Sequence, residues 1–281
     1  MPILSIIILA IIQGITEFLP ISSSGHLVLG HALLNDTFTL NDLDEKRLDI
    51  AVHIGTLFAV IGYFRADFMA LIIGGIDILR LRPNTQNAKL SLNVLISSIP
   101  VIVCGFSLFI TNMTIFDSLE IIGWTTLLFG IALYIADKKP ETKNDIHGLT
   151  VKHAIIYGLF QCIALIPGVS RSGITMTAGR FMGYSRAQSA RFSILMGIVT
   201  ITSAGALTSL SVFQDQTITN VFLTIIAIGI IVSCIVAYIT IVVMMKWFAR
   251  EGTMTPFVIY RILLGGALLA LLYSGIISEK M

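Results

Sequence analysis

The sequence predicts an all-α polytopic membrane protein, with about six transmembrane helices and two re-entrant helical hairpins arranged as an inverted-topology repeat. Three observations carry this. First, 56% of the 281 residues are hydrophobic and only 12% are charged, against roughly 25% charged in ordinary globular domains. Mean hydropathy is +0.91. So apolar a chain has too little polar surface to cover a particle in water, and lipid must be its solvent. Second, apolar runs of spanning length recur between short polar connections. Third, two apolar segments are broken by similar Pro- and Ser-containing tips.

A spanning helix needs about 20 apolar residues. Runs near 92–111, 119–136, 192–212, 220–245 and 256–276 qualify, with 48–64 as a marginal sixth. Segment 68–79 is too short to cross and is expected to be interfacial or packed against the others. Loop 65–91 carries Arg65, Arg80, Arg82 and Lys89; loop 137–152 carries Lys138, Lys139, Lys143 and Lys152; loop 246–255 carries Lys246 and Arg250. The positive-inside rule puts these three on the cytoplasmic side. Connections 35–47, 112–118 and 213–219 are poor in Lys and Arg, and the first holds Asp36, Asp42, Asp44 and Glu45. They are expected outside.

Residues 2–19 run into Pro20-Ile-Ser-Ser-Ser-Gly25-His26, and residues 153–166 run into Pro167-Gly-Val-Ser-Arg-Ser-Gly173. The apolar stretch on either side of each tip is too short to cross alone. The alternation of sides makes 1–34 enter and leave from outside and 153–191 from inside, which is the behaviour of re-entrant hairpins. The chain then reads as one membrane domain, 1–281, with a first repeat over 1–136 and an inverted second repeat over 153–281. Irregular backbone at membrane depth survives only where it is buried in protein or lines a wet cavity. The two tips are therefore expected to meet near the midplane and form one polar site.

Glu17 is a carboxylate inside an apolar run, where a charge costs about 2.5–3.5 kcal/mol on insertion scales, and Gln13 lies one turn earlier on the same face. His26 follows Ser22, Ser23 and Ser24 and is suited to acid, base or nucleophile roles. His31, His53, His147 and His153 lack such company and read as structural. Arg171 stands between Ser170 and Ser172, with Thr175 and Thr177 beyond; a guanidinium fork with neighbouring hydroxyls suits phosphate oxygens. Arg186 and Arg191 read as interfacial side chains, Arg180 as either site or interface, and Arg261 with Tyr260 as an anchor near the cytoplasmic end of the last span. Cys104, Cys162 and Cys234 lack metal-type spacing and read as packing residues. A formal charge of +2 without a basic tract gives no sign of a nucleic-acid partner. The N-terminal run lacks a basic start, its first Lys or Arg being Lys46, so it is expected to belong to the mature fold. On residue chemistry alone, hydrolysis of a phosphate compound and its transport remain open.

Gln13-Gly-Ile-Thr-Glu17-Phe-Leu-Pro-Ile-Ser-Ser-Ser-Gly-His26 and Pro167-Gly-Val-Ser-Arg-Ser-Gly-Ile-Thr175 resemble the two signatures of the bacterial undecaprenyl-diphosphate phosphatases, the bacitracin-resistance family. Phe160-Gln161 and Pro256-Phe-Val-Ile-Tyr-Arg261 extend the resemblance through nearly the whole chain. It implies a multi-pass protein of the bacterial cytoplasmic membrane that hydrolyses undecaprenyl diphosphate to the monophosphate and phosphate. That reaction recycles the carrier lipid for peptidoglycan and other cell-wall polymers and confers bacitracin resistance. It also implies a divalent cation, Mg²⁺ or Ca²⁺, and a site open to the outer face. Glu17 would work with the metal, Ser23 and His26 are rival nucleophiles, and Arg171 would hold the phosphates. Ser22, Ser170, Ser172 and Thr175 would be hydrogen-bonding neighbours. Gln13 occupies the family's Glu-or-Gln position, which leaves one anionic ligand fewer than a two-carboxylate site. Another phosphatase class with a Ser-Gly-His tripeptide needs a later catalytic His, and no His follows His153. A polyprenyl-phosphate flippase is the alternative function, and a homodimer is one assembly to test.

Overall fold

The computed structural model describes residues 3–35, 42–111, 118–142, 145–212 and 220–277. Among these, eleven α-helices and no strand occur: α1 (Ile3–Thr16), α2 (Ser23–Asn35), α3 (Asp42–Tyr63), α4 (Arg65–Leu79), α5 (Gln86–Thr111), α6 (Leu119–Asp137), α7 (Val151–Ile163), α8 (Arg171–Phe181), α9 (Arg186–Val212), α10 (Asn220–Ala249) and α11 (Thr255–Tyr273). Five are long and apolar enough to cross a membrane, and α3 with α4 makes a sixth candidate bent by 91°. Large apolar side chains such as Val103, Ile235 and Leu263 face outward, as lipid contact requires.

The marginal run 48–64 is therefore the greater part of a longer helix that begins at Asp42. The short segment after it is α4, lying against α5, where the Ser91 hydroxyl donates to the Leu71 carbonyl at 2.9 Å. Helix α1 has 14 residues, about 21 Å at 1.5 Å per residue, which falls short of a hydrocarbon core of about 30 Å. Helix α7 has 13. Each folds back onto the helix that follows it, α1 on α2 and α7 on α8.

Helix α1 packs along α10, and α7 packs along α5. The second contact is tight because Gly158 has no side chain: a Cβ there would stand 2.8 Å from the Ser97 carbonyl oxygen and 2.9 Å from Cγ of Pro100. Helix α3 also meets α9, and α6 meets α11. The core includes the fully buried aromatics Phe18, Tyr157, Tyr184 and Phe192.

The three Lys/Arg-bearing connections gather at one end, where Asp137 meets Met254 and Arg191 meets Asp67. Arg180 is buried there, donating to the carbonyl of Tyr184 at 2.6 Å and pairing with Glu141 at 3.2 Å. It is thus a structural residue of the α6–α7 and α8–α9 connections, apart from the hairpin tips. Arg186 pairs with Asp137 at 2.6 Å and Arg191 pairs with Asp67. Each has a carboxylate partner on another helix, and Asp137 also accepts from the Met254 backbone N–H. Of the connections expected on the opposite side, residues 36–41, 112–117 and 213–219, Asp36 among them, lie outside the described residues.

Candidate active site

The two tips end in matched backbone. Ser22 and Ser170, each the residue before the second helix of its hairpin, have φ of 76° and 71°. Non-glycine residues seldom adopt this region, and such strain costs about 1–3 kcal/mol. In each tip the hydroxyl lies beside that of the serine two positions on, Ser22 with Ser24 at 3.3 Å and Ser170 with Ser172 at 3.2 Å. The Ser170 hydroxyl also accepts from the Gly173 N–H at 3.1 Å and so caps α8.

Between the tips lies a buried ion pair. Arg171 Nη2 donates to Glu17 Oε1 at 2.9 Å, and Nη1 donates to the Ser193 carbonyl at 3.1 Å. Glu17 Oε2 accepts from Gln13 Nε2 at 2.8 Å and from the Ser23 hydroxyl at 2.7 Å. The carboxylate is thus held by one guanidinium, one amide and one hydroxyl, which offsets the cost of burying it. Gly197 makes room for the guanidinium, since a Cβ on that residue would run into it.

Glu17, Ser22, Ser23, Ser170 and Arg171 all line one cavity of about 470 Å³, which Lys46, Asp49 and His53 of α3 and Thr200 of α9 also line. Lys46 and Asp49 belong to the first half of α3 and His53 to its middle, so the cavity lies toward the end opposite the basic connections. A second, apolar cavity of about 410 Å³ abuts it, lined by Val101, Phe106, Phe109 and Leu207, and it shares Ala164, Arg171, Thr200 and Ala204 with the first. A polar chamber therefore continues into a greasy groove between α5, α7 and α9.

The remaining candidates stand further back. Gln13 is fully buried behind Glu17. Ser172 donates to the Leu19 carbonyl at 2.8 Å and ties one tip to the other. The Thr175 hydroxyl donates to the Arg171 carbonyl at 2.7 Å and lies 2.7 Å from the Ser193 hydroxyl, bracing the helix start that carries the guanidinium. His26 does not line the cavity. Its Nδ1 donates to the Ser22 carbonyl at 2.6 Å and its Nε2 lies 2.5 Å from the Tyr260 hydroxyl, with the rings stacked.

Two residues change their reading. Arg261 is fully buried rather than anchored at an interface. Its guanidinium donates to Pro20 O at 3.3 Å, Gly168 O at 3.1 Å, Thr126 O at 3.1 Å and Thr125 O at 3.4 Å, so it holds both tips against α6. His53, read as structural, has Nε2 3.7 Å from Glu17 Oε2. Its sequence signal is the polar spacing Asp49, His53, Thr56 at i, i+4 and i+7. Among the described residues no three His, Cys, Asp or Glu side chains group as a metal cage.

A model of the family described as Bacitracin resistance protein BacA matches residues 6–267. Curated proteins named undecaprenyl-diphosphatase are similar over nearly their whole length. One from Dinoroseobacter shibae is 42% identical over 275 residues, covering 98% of this chain and 100% of the relative. One from a Jannaschia species is 42% identical over 280 residues, with 98% and 100% covered. One from Alteromonas mediterranea is 40% identical over 269 residues, with 96% and 98% covered.

Proposed function

Because the chain belongs to the bacitracin resistance protein family, we propose that it is a membrane-embedded undecaprenyl-diphosphatase. It hydrolyses undecaprenyl diphosphate to undecaprenyl phosphate and inorganic phosphate, returning the carrier lipid to cell-wall synthesis. The observation that carries the reading is the Glu17–Ser23–Arg171 arrangement in the wall of a polar cavity. The apolar groove that continues from it suits a diphosphate joined to a long hydrocarbon chain.

Phosphoryl transfer needs chiefly positioning and neutralisation of charge. The Ser23 hydroxyl is the better-placed nucleophile, because it lines the cavity and already donates to a carboxylate. His26 has both ring nitrogens engaged by Ser22 and Tyr260 on the far face of α2. Ser23 Oγ attacks the terminal phosphorus while its proton passes to Glu17, and the bridging P–O bond breaks to leave undecaprenyl phosphate. Arg171 and the starts of α2 and α8 offer donors to the phosphate oxygens. Water then cleaves the phosphoserine, and Glu17 returns its proton to Ser23.

The side chains also suit a hard divalent cation, Mg²⁺ or Ca²⁺, shared with substrate. Mg²⁺ is commonly bound by one or two carboxylates plus phosphate oxygens rather than by an all-protein cage. Glu17 is the carboxylate, and the buried Gln13 Oε1, which has no hydrogen-bond partner among the described residues, is a second oxygen donor one turn away. Such an ion would supply further neutralisation of the diphosphate charge.

The similar tips, their matched serine geometry and the pairing of α1 with α10 as α7 with α5 support two inverted repeats, 1–136 and 153–281. The basic connections at one end support a cavity open to the outer side of the cytoplasmic membrane. The same repeat favours a flippase as the second reading. Purified protein with Mg²⁺ and a polyprenyl diphosphate is expected to release inorganic phosphate, and Ser23→Ala and Arg171→Ala to release none. Movement of intact lipid across vesicles without any phosphate release would replace the phosphatase by the flippase.

A further inference from the structure

We propose that the two cavities fix the direction of the substrate, with Arg171 on the phosphate bonded to the lipid and Lys46 on the terminal one. This assignment rests on the diphosphatase reading. The polar chamber is walled by the first tip, by α3 and by the second tip, whereas none of the described residues lining the apolar groove belongs to α1, α2 or α3. The two spaces meet at the wall that Ala164, Arg171, Thr200 and Ala204 share. Ser23 and Lys46 line the chamber alone.

A hydrocarbon chain seated in the groove therefore leads its phosphates past Arg171 first. The phosphate bonded to the lipid lies at the junction. The terminal one, which Ser23 attacks, lies beyond it on the side of α2 and α3. Lys46 stands on that side, in the early turns of α3 and one turn before Asp49.

The charges divide in the same way. Arg171 is matched by Glu17 at 2.9 Å, and the Asp49 carboxylate lies 3.1 Å from His31 Nε2. Among the described residues no carboxylate pairs with Lys46, so its charge is unspent and serves an incoming anion. The two cations also suit their places. The Arg171 guanidinium is fixed by Glu17 and by the Ser193 carbonyl, as a phosphate that stays on the lipid requires. Lys46 is exposed, and its ammonium is a compact charge with three donors on a flexible stem. It can follow the phosphate that is transferred to Ser23 and then released to solvent.

The test uses full-length protein with Mg²⁺ and a polyprenyl diphosphate, with inorganic phosphate and polyprenyl monophosphate as separate inhibitors. Lys46→Met keeps the stem and removes the charge. It is expected to raise KM and the inhibition constant of inorganic phosphate about tenfold each, the loss of one charge-assisted hydrogen bond, and to leave that of polyprenyl monophosphate within about twofold. Lys46→Arg is expected to restore both values. Equal rises for the two inhibitors, a rise for polyprenyl monophosphate alone, or no change in either overturns the assignment and leaves the diphosphatase reading standing. Where phosphate does not inhibit the wild type, chemical modification of the Lys46 amine in Ser23→Ala, which leaves the diphosphate intact, decides. Protection by polyprenyl diphosphate but not by polyprenyl monophosphate supports the assignment; equal or absent protection overturns it. A wild type that releases no phosphate from the lipid defeats the diphosphatase reading and this inference together.

Discussion

At the scale of single residues, the site depends on where one guanidinium is held. Arg171 is anchored at once by Glu17 and by the Ser193 carbonyl, and it lies against the bare backbone of Gly197. A methyl group at 197 has nowhere to go except into that guanidinium. Gly197→Ala is therefore expected to fold, because it sits inside a long helix where alanine is favoured, yet to lose about 10²-fold in kcat/KM through displacement of a positioning group. Phosphate release measured alongside thermal unfolding separates the two effects. The two serine–histidine candidates also part company here. Ser23→Ala is expected to lower kcat by about 10³-fold or more, as loss of a nucleophile does. His26→Gln, which can still bond to Ser22 and Tyr260, is expected to cost about tenfold or less. Equal losses from the two variants would return His26 to the centre of the chemistry. Glu17 and Arg171 were legible because a charge in an apolar run announces itself. His53 was harder to see, because its signal is only the spacing Asp49, His53, Thr56, whose meaning appears once α3 is seen to face α1 and α9. Arg261 was misread for a related reason: nearness to a basic loop resembles anchoring, whereas its four carbonyl partners come from segments over 90 residues away.

Among elements, the hairpin tips raise a problem that only another helix can solve. A chain that turns back inside a bilayer leaves carbonyls without helical partners, and each costs several kcal/mol in hydrocarbon. Here Arg261 on α11 reaches Pro20 in the first tip and Gly168 in the second, while Thr125 and Thr126 of α6 donate to Pro167 at 2.6 Å and to Gly168 at 3.3 Å. Arg261→Leu removes the two donations from Arg261 to the tips and its two further ones to the Thr125 and Thr126 carbonyls, and is expected to destabilise the protein by at least about 3 kcal/mol, since hydrogen bonds from a charged group contribute about 1.5–3 kcal/mol each. Thermal unfolding in detergent would register this as a lower Tm together with lost activity; an unchanged Tm would mean that the tips do not need the staple. The hairpins themselves were legible from Pro-broken runs too short to cross. The bend between α3 and α4 was legible only as a marginal span followed by a short apolar segment. Its cause is tertiary: α4 turns aside to lie on α5, with Gly74 allowing the approach of Asn87 and Ser91.

For the whole molecule, the governing feature is the separation of its two ends. One end gathers Asp137, Glu141, Arg180 and Arg186 from connections that also carry the Lys and Arg excess. The other holds the first turns of α3, with Lys46 and Asp49 at the cavity, and the Glu120–Tyr273 contact between the start of α6 and the end of α11. A lipid diphosphate carries its charge at the membrane surface, so the enzyme serves whichever leaflet its cavity faces. In the proposed orientation the positive-inside rule puts the basic end in the cytoplasm, and the cavity then faces outward. In a background with Cys104, Cys162 and Cys234 replaced, a membrane-impermeant thiol reagent added to intact cells is expected to label Lys46→Cys. Arg82→Cys, in the basic loop after α4, is expected to react only once the membrane is opened. Added polyprenyl diphosphate should slow labelling at position 46, because the substrate headgroup fills the cavity that this residue lines. Labelling of Arg82→Cys alone in intact cells would invert the molecule and make the site serve the inner leaflet, with every distance within the cavity unchanged.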